Sequence, residues 1–402
     1  MLTLAVLVLI PLVWGLVAGR LGRWSITAPI AMVAAGVALT AGSDPLYAIN
    51  LDTSTIEHFV EVVLAVVLFV DATEVGGGFF GKEPKLTARL LLIALPLSLV
   101  LAVAFGALTF PGVNFWVLAV IATVVMPTDL APVVSLIRDK RIPSRLRDLL
   151  NVESGFNDGF VAPLFLFAIA AARSAVDDST PDLDALIGAV PAFLIAIAVG
   201  SGIGVGGGWL ITRAYAAGWT EPPALRIAVL TLPLLSYLVA VGLKGNGFVA
   251  AFVAGLLFRR AARLLPHDAV LLVEDTGVLL GLLVWFLFGQ LITQTLDDGT
   301  DWAIVLFAVL AVVAARTLPV VVSLARTNID RPDRWFVGWV GPRGLASIAF
   351  GLLAYIDLDP PENELVGEVM VVTVLVSVLV HGASVVPLSS WYGTRRHPVA
   401  RD

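Results

Sequence analysis

Asn151-Val152-Glu153-Ser154-Gly155-Phe156-Asn157-Asp158-Gly159 lies inside a run, 147–173, that is otherwise long and apolar enough to cross a membrane as one helix. Glu153 and Asn157 are four residues apart, as are Ser154 and Asp158, so a helix stacks them along one face. That face carries two carboxylates, a hydroxyl and an amide, with Asp158 close to the midplane. Ionisable groups at such depth are costly, and they mark ion or proton pathways. The stretch therefore implies a membrane protein and a chemical function for its interior.

The composition around it agrees. The chain has 402 residues, of which 58% are hydrophobic and 14% charged, with a mean hydropathy of +0.95. Soluble domains carry about 25% charged residues, and a soluble fold of this size could not hide so much apolar surface. The absence of cysteine excludes disulfide frameworks and thiolate metal sites. The first apolar run has no basic segment before it and no clear cleavage site, so it reads as a retained helix.

Apolar runs predict an all-α polytopic protein of about thirteen spans: 2–19, 25–42, 56–75, 87–109, 113–137, 147–173, 184–212, 222–243, 246–264, 270–295, 302–326, 335–356 and 365–390. The whole chain, 1–402, reads as one transmembrane domain with no soluble regulatory domain. The loop charges alternate. Arg20 and Arg23; Lys82, Lys85 and Arg89; Arg138, Lys140, Arg141, Arg145 and Arg147 fall in every second loop. So do Arg213 and Arg226; Arg259, Arg260 and Arg263; Arg326, Arg331 and Arg334; Arg395, Arg396 and Arg401. The intervening loops are mostly acidic: Asp44 and Asp52; Asp177, Asp178, Asp182 and Asp184; Asp297, Asp298 and Asp301; Asp357, Asp359, Glu362 and Glu364. The positive-inside rule then puts the N-terminus outside and the C-terminus in the cytoplasm.

With this count the first six spans (1–173) and the last six (222–390) run in opposite directions, and span 184–212 connects them. Such inverted repeats are a transporter architecture. Helix breakers occur at matching places, Met126-Pro127-Thr128-Asp129-Leu130-Ala131-Pro132 in the fifth span and Gly341-Pro342-Arg343-Gly344 in the twelfth. Irregular backbone at that depth is tolerated where it lines a polar cavity, so these two helices are expected to be broken and to cross. The run Gly200-Ser201-Gly202-Ile203-Gly204-Val205-Gly206-Gly207-Gly208 lies within a span, with no Lys-Ser/Thr after it. It reads as close helix packing and not as a phosphate loop.

Carboxylate, hydroxyl, amide and freed carbonyl oxygens are the ligands with which a monovalent cation replaces its water. A carboxylate can hold a proton or a cation, never both, and that competition makes an exchanger if only the loaded protein reorients. Glu153 and Arg343 sit at similar depths and are expected to form an ion pair bracing the sixth span against the twelfth. Arg316, inside the eleventh span, has Glu274 and Asp275 as its nearest plausible partners. His58 and His267 lie near helix ends and read as solvated, while His381 lies deeper.

These stretches together resemble the signature segments of sodium/proton exchangers of the NhaP/NHE type, a group of monovalent cation:proton antiporters. The resemblance rests on Pro127-Thr128-Asp129, the 151–159 stretch and Gly341-Pro342-Arg343-Gly344. It extends to Asn246-Gly247-Phe248-Val249-Ala250-Ala251-Phe252-Val253-Ala254-Gly255 and Leu68-Phe69-Val70-Asp71-Ala72, and so covers nearly the whole chain. It implies that Asp158 is the main cation- and proton-binding carboxylate and that Thr128, Asp129 and Ser154 help ligate Na⁺. It implies further that Asn157 bonds to the broken fifth span and that Glu153 pairs with Arg343. Either Asp71 or Glu74 would face the cytoplasmic funnel. A homodimer in the inner membrane of a prokaryote is implied, with a core bundle moving against a dimerisation domain. No cofactor and no nucleic acid enter this reading. A passive cation channel is a rival that flux measurements separate. An enzyme is not favoured, because the chain lacks a nucleophile–base pair, a His-rich metal set and a phosphate loop.

Overall fold

In the computed structural model, residues 2–24, 26–41, 53–74, 82–176, 183–297 and 299–396 are described, and among them there are helices and no strands. Of the charged loop residues, Asp44, Asp52, Asp177, Asp178, Asp182, Asp298 and Arg401 lie outside the described residues.

The first half runs α1 (Leu2–Gly22), α2 (Ala28–Thr40), α3 (Thr53–Glu74), α4 (Pro84–Arg89), α5 (Leu95–Thr109), α6 (Phe115–Val125), α7 (Val134–Arg138) and α8 (Ser144–Val176). Then come α9 (Leu183–Ala216), α10 (Pro222–Gly242), α11 (Gly247–Ala261) and α12 (Leu271–Asp297). The chain ends with α13 (Trp302–Leu310), α14 (Thr317–Ser323), α15 (Arg331–Trp339), α16 (Leu345–Asp357) and α17 (Glu362–Arg396). Eight continuous segments are long and apolar enough to cross a membrane, and α2, α6 and α16 are shorter apolar helices. The protein is thus a multi-pass, all-helical membrane protein. Its outer surface is apolar as a bilayer requires: α1 exposes Val8, Leu9, Leu12 and Leu16.

Local chemistry sets the helix starts. Asn114, Asn246 and Asp301 cap α6, α11 and α13 by accepting from the backbone N–H groups of Trp116, Val249 and Ala303. Proline opens α2, α4, α10 and α15, where its missing N–H costs nothing. Two features were not foreseen. A π-turn at Leu90–Ala94 joins α4 to α5, and another at Ala311–Ala315 joins α13 to α14. The first packs against α14 and the second against α5.

The expected breaks are present. Helix α6 stops at Val125, and regular structure resumes with a short 3-10 turn at Ala131–Val133. Helix α15 stops at Trp339 and α16 starts at Leu345. Close packing surrounds them. The glycine run of α9 lies on α11, where a Cβ on Gly200 or Gly204 would overlap the backbone of Ala250 or Ala254. The rings of Phe165 on α8 and Phe350 on α16 stack with centroids 4.6 Å apart.

Candidate functional site

The two breaks touch. The backbone N–H of Asp129 donates to the carbonyl of Pro342 at 2.8 Å, tying one irregular segment to the other. The Asp129 carboxylate completes the crossing: Oδ1 accepts from the N–H of Ala131 at 2.8 Å and Oδ2 from the N–H of Leu345 at 3.2 Å. One side chain thus caps the segments that resume after both breaks, where unpaired N–H groups point outward and negative charge is favoured. The approach requires glycine at 344, since a Cβ there would overlap the Asp129 side chain.

Helix α8 runs alongside. Ser154 Oγ donates to the carbonyl of Thr128 at 2.8 Å, and Asn157 Nδ2 donates to Thr128 Oγ1 at 3.1 Å. The first bond satisfies a carbonyl freed by the break in the fifth span, and the second holds the Thr128 hydroxyl. Thr128, Asn157 and Asp158 are buried, while Ser154 and Asp129 are half-buried. Asp158 Oδ1 and Asn157 Oδ1 are buried with no hydrogen-bond donor among the described residues. Buried acceptors of this kind cost about 1–3 kcal/mol each unless something binds them. Asp129 and Asp71 lie within electrostatic reach of Asp158. Asp71 is half-buried on α3, and Glu74 ends that helix with a side chain outside the described residues.

The arginines are arranged differently from the expectation. Glu153 Oε2 bonds Arg316 NH2 at 2.7 Å, and both side chains are buried. The same guanidinium donates through NH1 to the carbonyls of Val337 and Gly338, each at 2.8 Å, closing the C-terminal end of α15. The expected Glu153–Arg343 pair is therefore corrected to Glu153–Arg316. Arg343 is fully buried and donates instead to the carbonyl of Gly341 at 2.6 Å and of Ala311 at 3.0 Å. Ala311 opens the π-turn, where a carbonyl left without its usual α-helical donor can accept. The pairing of Arg316 with Glu274 or Asp275 is corrected as well: those carboxylates form no ion pair among the described residues, and Asp275 is exposed. Residue counting favours Arg343 because its depth matches that of Glu153, but depth alone does not fix a partner. The direction in which each helix faces decides.

Two further residues belong to the site that sequence reasoning passed over or left open. Ser377 Oγ accepts from the N–H of Arg343 at 2.8 Å. His381, one turn along α17, is buried with Nε2 2.9 Å from the carbonyl of Trp339 and Nδ1 2.9 Å from that of Ser377. The four-residue spacing of Ser377 and His381 was the available signal. His58 and His267 are exposed, in keeping with their positions near helix starts.

Among curated relatives, the K(+)/H(+) antiporter NhaP of Alkalimonas amylolytica is 27% identical over 97% of this chain. The Na(+)/H(+) antiporter of Schizosaccharomyces pombe is 25% identical over 82% of it. The chain spans 66% of the first protein's length and 76% of the second's. Among solved structures, the sodium proton antiporter MjNhaP1 of Methanocaldococcus jannaschii matches with a TM-score of 0.73 at 17% identity, covering 95% of this chain and 99% of that one. A likeness at that identity establishes the shared fold. The family model for the transmembrane region of sodium/hydrogen exchangers matches residues 4–391, which takes in both breaks and the acidic face of α8, and so the chain belongs to the sodium/hydrogen exchanger family.

Proposed function

We propose that the chain exchanges one monovalent cation, Na⁺ or Li⁺, for one proton across the membrane by alternating access at Asp158. One observation carries this reading. The Asp158 carboxylate is buried beside the Asn157 amide oxygen, and each has an oxygen without a donor among the described residues. A dehydrated cation or a proton satisfies such an oxygen, and the carboxylate holds only one of them at a time. Thr128 and Ser154, hydrogen-bonded to each other with Thr128 also held by Asn157, and Asp129, within electrostatic reach of Asp158, are suited to help ligate the cation. Asp71, within reach of Asp158, suits the approach from the cytoplasmic side better than Glu74, which lies one turn further along α3. K⁺ is the second reading, favoured by the name of the Alkalimonas relative.

The one-for-one ratio follows from which charges are already committed. Asn157 cannot titrate, Glu153 is matched by Arg316, and both oxygens of Asp129 are engaged by backbone N–H groups. That leaves one exchangeable carboxylate on this face of α8. Purified protein in liposomes, given a pH gradient and each alkali cation in turn, tests the exchange and ranks the ions. A net charge would be worth about 2.3 kcal/mol per 100 mV. With an imposed valinomycin potential, or with solid-supported-membrane currents if K⁺ is a substrate, the cation ratio is expected to equal the proton ratio at every voltage. A ratio that follows voltage would mean that a second carboxylate titrates.

The same reading includes thirteen crossings in two inverted six-helix halves joined by α9, the N-terminus outside, and a homodimer in a prokaryotic inner membrane. The contact between the two breaks and the alternation of loop charge support it. Single cysteines introduced into this cysteine-free chain test the orientation: Asp301→Cys is expected to label only from outside and Lys140→Cys only from inside. The reverse pattern would invert the topology.

A further inference from the structure

Ion exchange makes no use of the C-terminal end of α9. The helix has 34 residues, which at 1.5 Å per residue gives about 50 Å. The hydrocarbon core is about 30 Å thick, so the helix is long enough for its Arg213 end to reach the headgroup layer. There Trp209, Thr212, Arg213, Ala216, Ala217 and Trp219 line a concavity of about 440 Å³.

The fold builds this concavity by a turn that only glycine makes without strain. After Ala216 the chain reverses at Gly218, whose φ is +70°. The N–H of Trp219 then donates to the carbonyl of Ala214, and that of Ala217 to the carbonyl of Arg213, each at 2.9 Å. The reversal brings Trp219 back beside the last helical turn. Trp209 and Arg213 share a face at four-residue spacing, and the alanines keep the floor low. Trp209 is 57% and Trp219 81% exposed. Arg213 is exposed, and its guanidinium forms no ion pair or hydrogen bond among the described residues, Glu221 included. The turn itself takes up helix-end carbonyls that would otherwise repel an anion.

We propose that this concavity seats one phospholipid, with its phosphodiester on Arg213 and its glycerol and upper acyl segment between Trp209 and Trp219. A guanidinium matches the paired oxygens of a phosphate, and indoles favour the depth where headgroup meets acyl chain. A free phosphate would find one cation between two apolar walls, a poor match for a small dianion. The assignment of this end to the cytoplasmic leaflet rests on the orientation proposed above. Lipid binding itself is read independently of transport.

Native mass spectrometry of the delipidated full chain, titrated with phosphatidylglycerol, tests the site. The parent is expected to hold one lipid per chain more tightly than the rest. Arg213→Gln should weaken that first binding roughly fivefold, and the double substitution Trp209→Ala/Trp219→Ala should weaken it as well. Trp24→Ala, at another exposed tryptophan near a helix end, should leave it unchanged. Equal affinities in the parent and both variants would overturn the proposal. So would displacement of the lipid by inorganic phosphate, or variants that lose a second protein copy in place of the lipid.

Discussion

Asp158→Asn is expected to reduce proton-coupled cation flux in liposomes to that of protein-free vesicles, while the variant inserts and purifies like its parent. Asparagine keeps the size and polarity of the side chain but cannot exchange a proton for a cation. Nothing in the fold depends on the charge: Oδ1 has no donor among the described residues, and removing a buried charge without a direct partner relieves its desolvation. Thermal stability should therefore hold or rise. Asp129→Asn makes the contrast. Both Asp129 oxygens accept from backbone N–H groups, and an amide offers only one oxygen, so either Ala131 or Leu345 loses its acceptor. That change should cost about 1–3 kcal/mol of stability and weaken cation binding. Substantial coupled flux in Asp158→Asn would remove Asp158 from its role.

The second large effect is on stability. Glu153→Gln leaves the buried Arg316 without a carboxylate, and Arg316→Ala leaves Glu153 unpaired and removes the guanidinium donor from the carbonyls of Val337 and Gly338, of which Gly338 keeps only the Thr317 hydroxyl. Breaking a buried pair in this way costs on the order of 3–5 kcal/mol, measurable as loss of the folded fraction on heating in detergent. A mutant cycle should find strong coupling between Glu153 and Arg316 and weaker coupling between Glu153 and Arg343, whose guanidinium bonds to carbonyls. Coupling of the opposite order would restore the pairing that depth along the membrane suggests. Glu274→Gln should change stability by no more than about 0.5 kcal/mol.

The parts that were legible in the sequence are those whose signal is local. Pro127 and the Gly341–Gly344 segment mark the breaks because neither can continue a helix comfortably, and the structure interrupts α6 and α15 there. The three- and four-residue spacings on α8 place Ser154, Asn157 and Asp158 along one side, and Ser154 and Asn157 both bond to Thr128. Partners across the bundle were not legible. Residue counting gives the height of Arg316 in the membrane but not the direction in which it points, and that direction is set by packing against helices far away in the chain. The crossing itself is held largely by main-chain groups: the N–H of Asp129 on the carbonyl of Pro342, and the N–H of Leu345 on Asp129. Such bonds leave no trace in residue identity, except indirectly in the glycine that the close approach at 344 requires.

The π-turn at Ala311–Ala315 bears on how this molecule can change by insertion and deletion. A π-turn holds one residue more than the α-helical turn it replaces. Loss of any single residue from it would let α13 and α14 join as one regular helix. The helices on either side would keep nearly their present rotation and spacing, because the wider turn is what now absorbs the extra residue. Arg316, the residue immediately after the turn, would stay directed at Glu153, while the Ala311 carbonyl that now accepts from Arg343 would regain a helical donor. A one-residue gap at this point, invisible to any inventory of side chains at the site, is thus a change in length that leaves the buried ion pair connected and bears instead on the hold of Arg343.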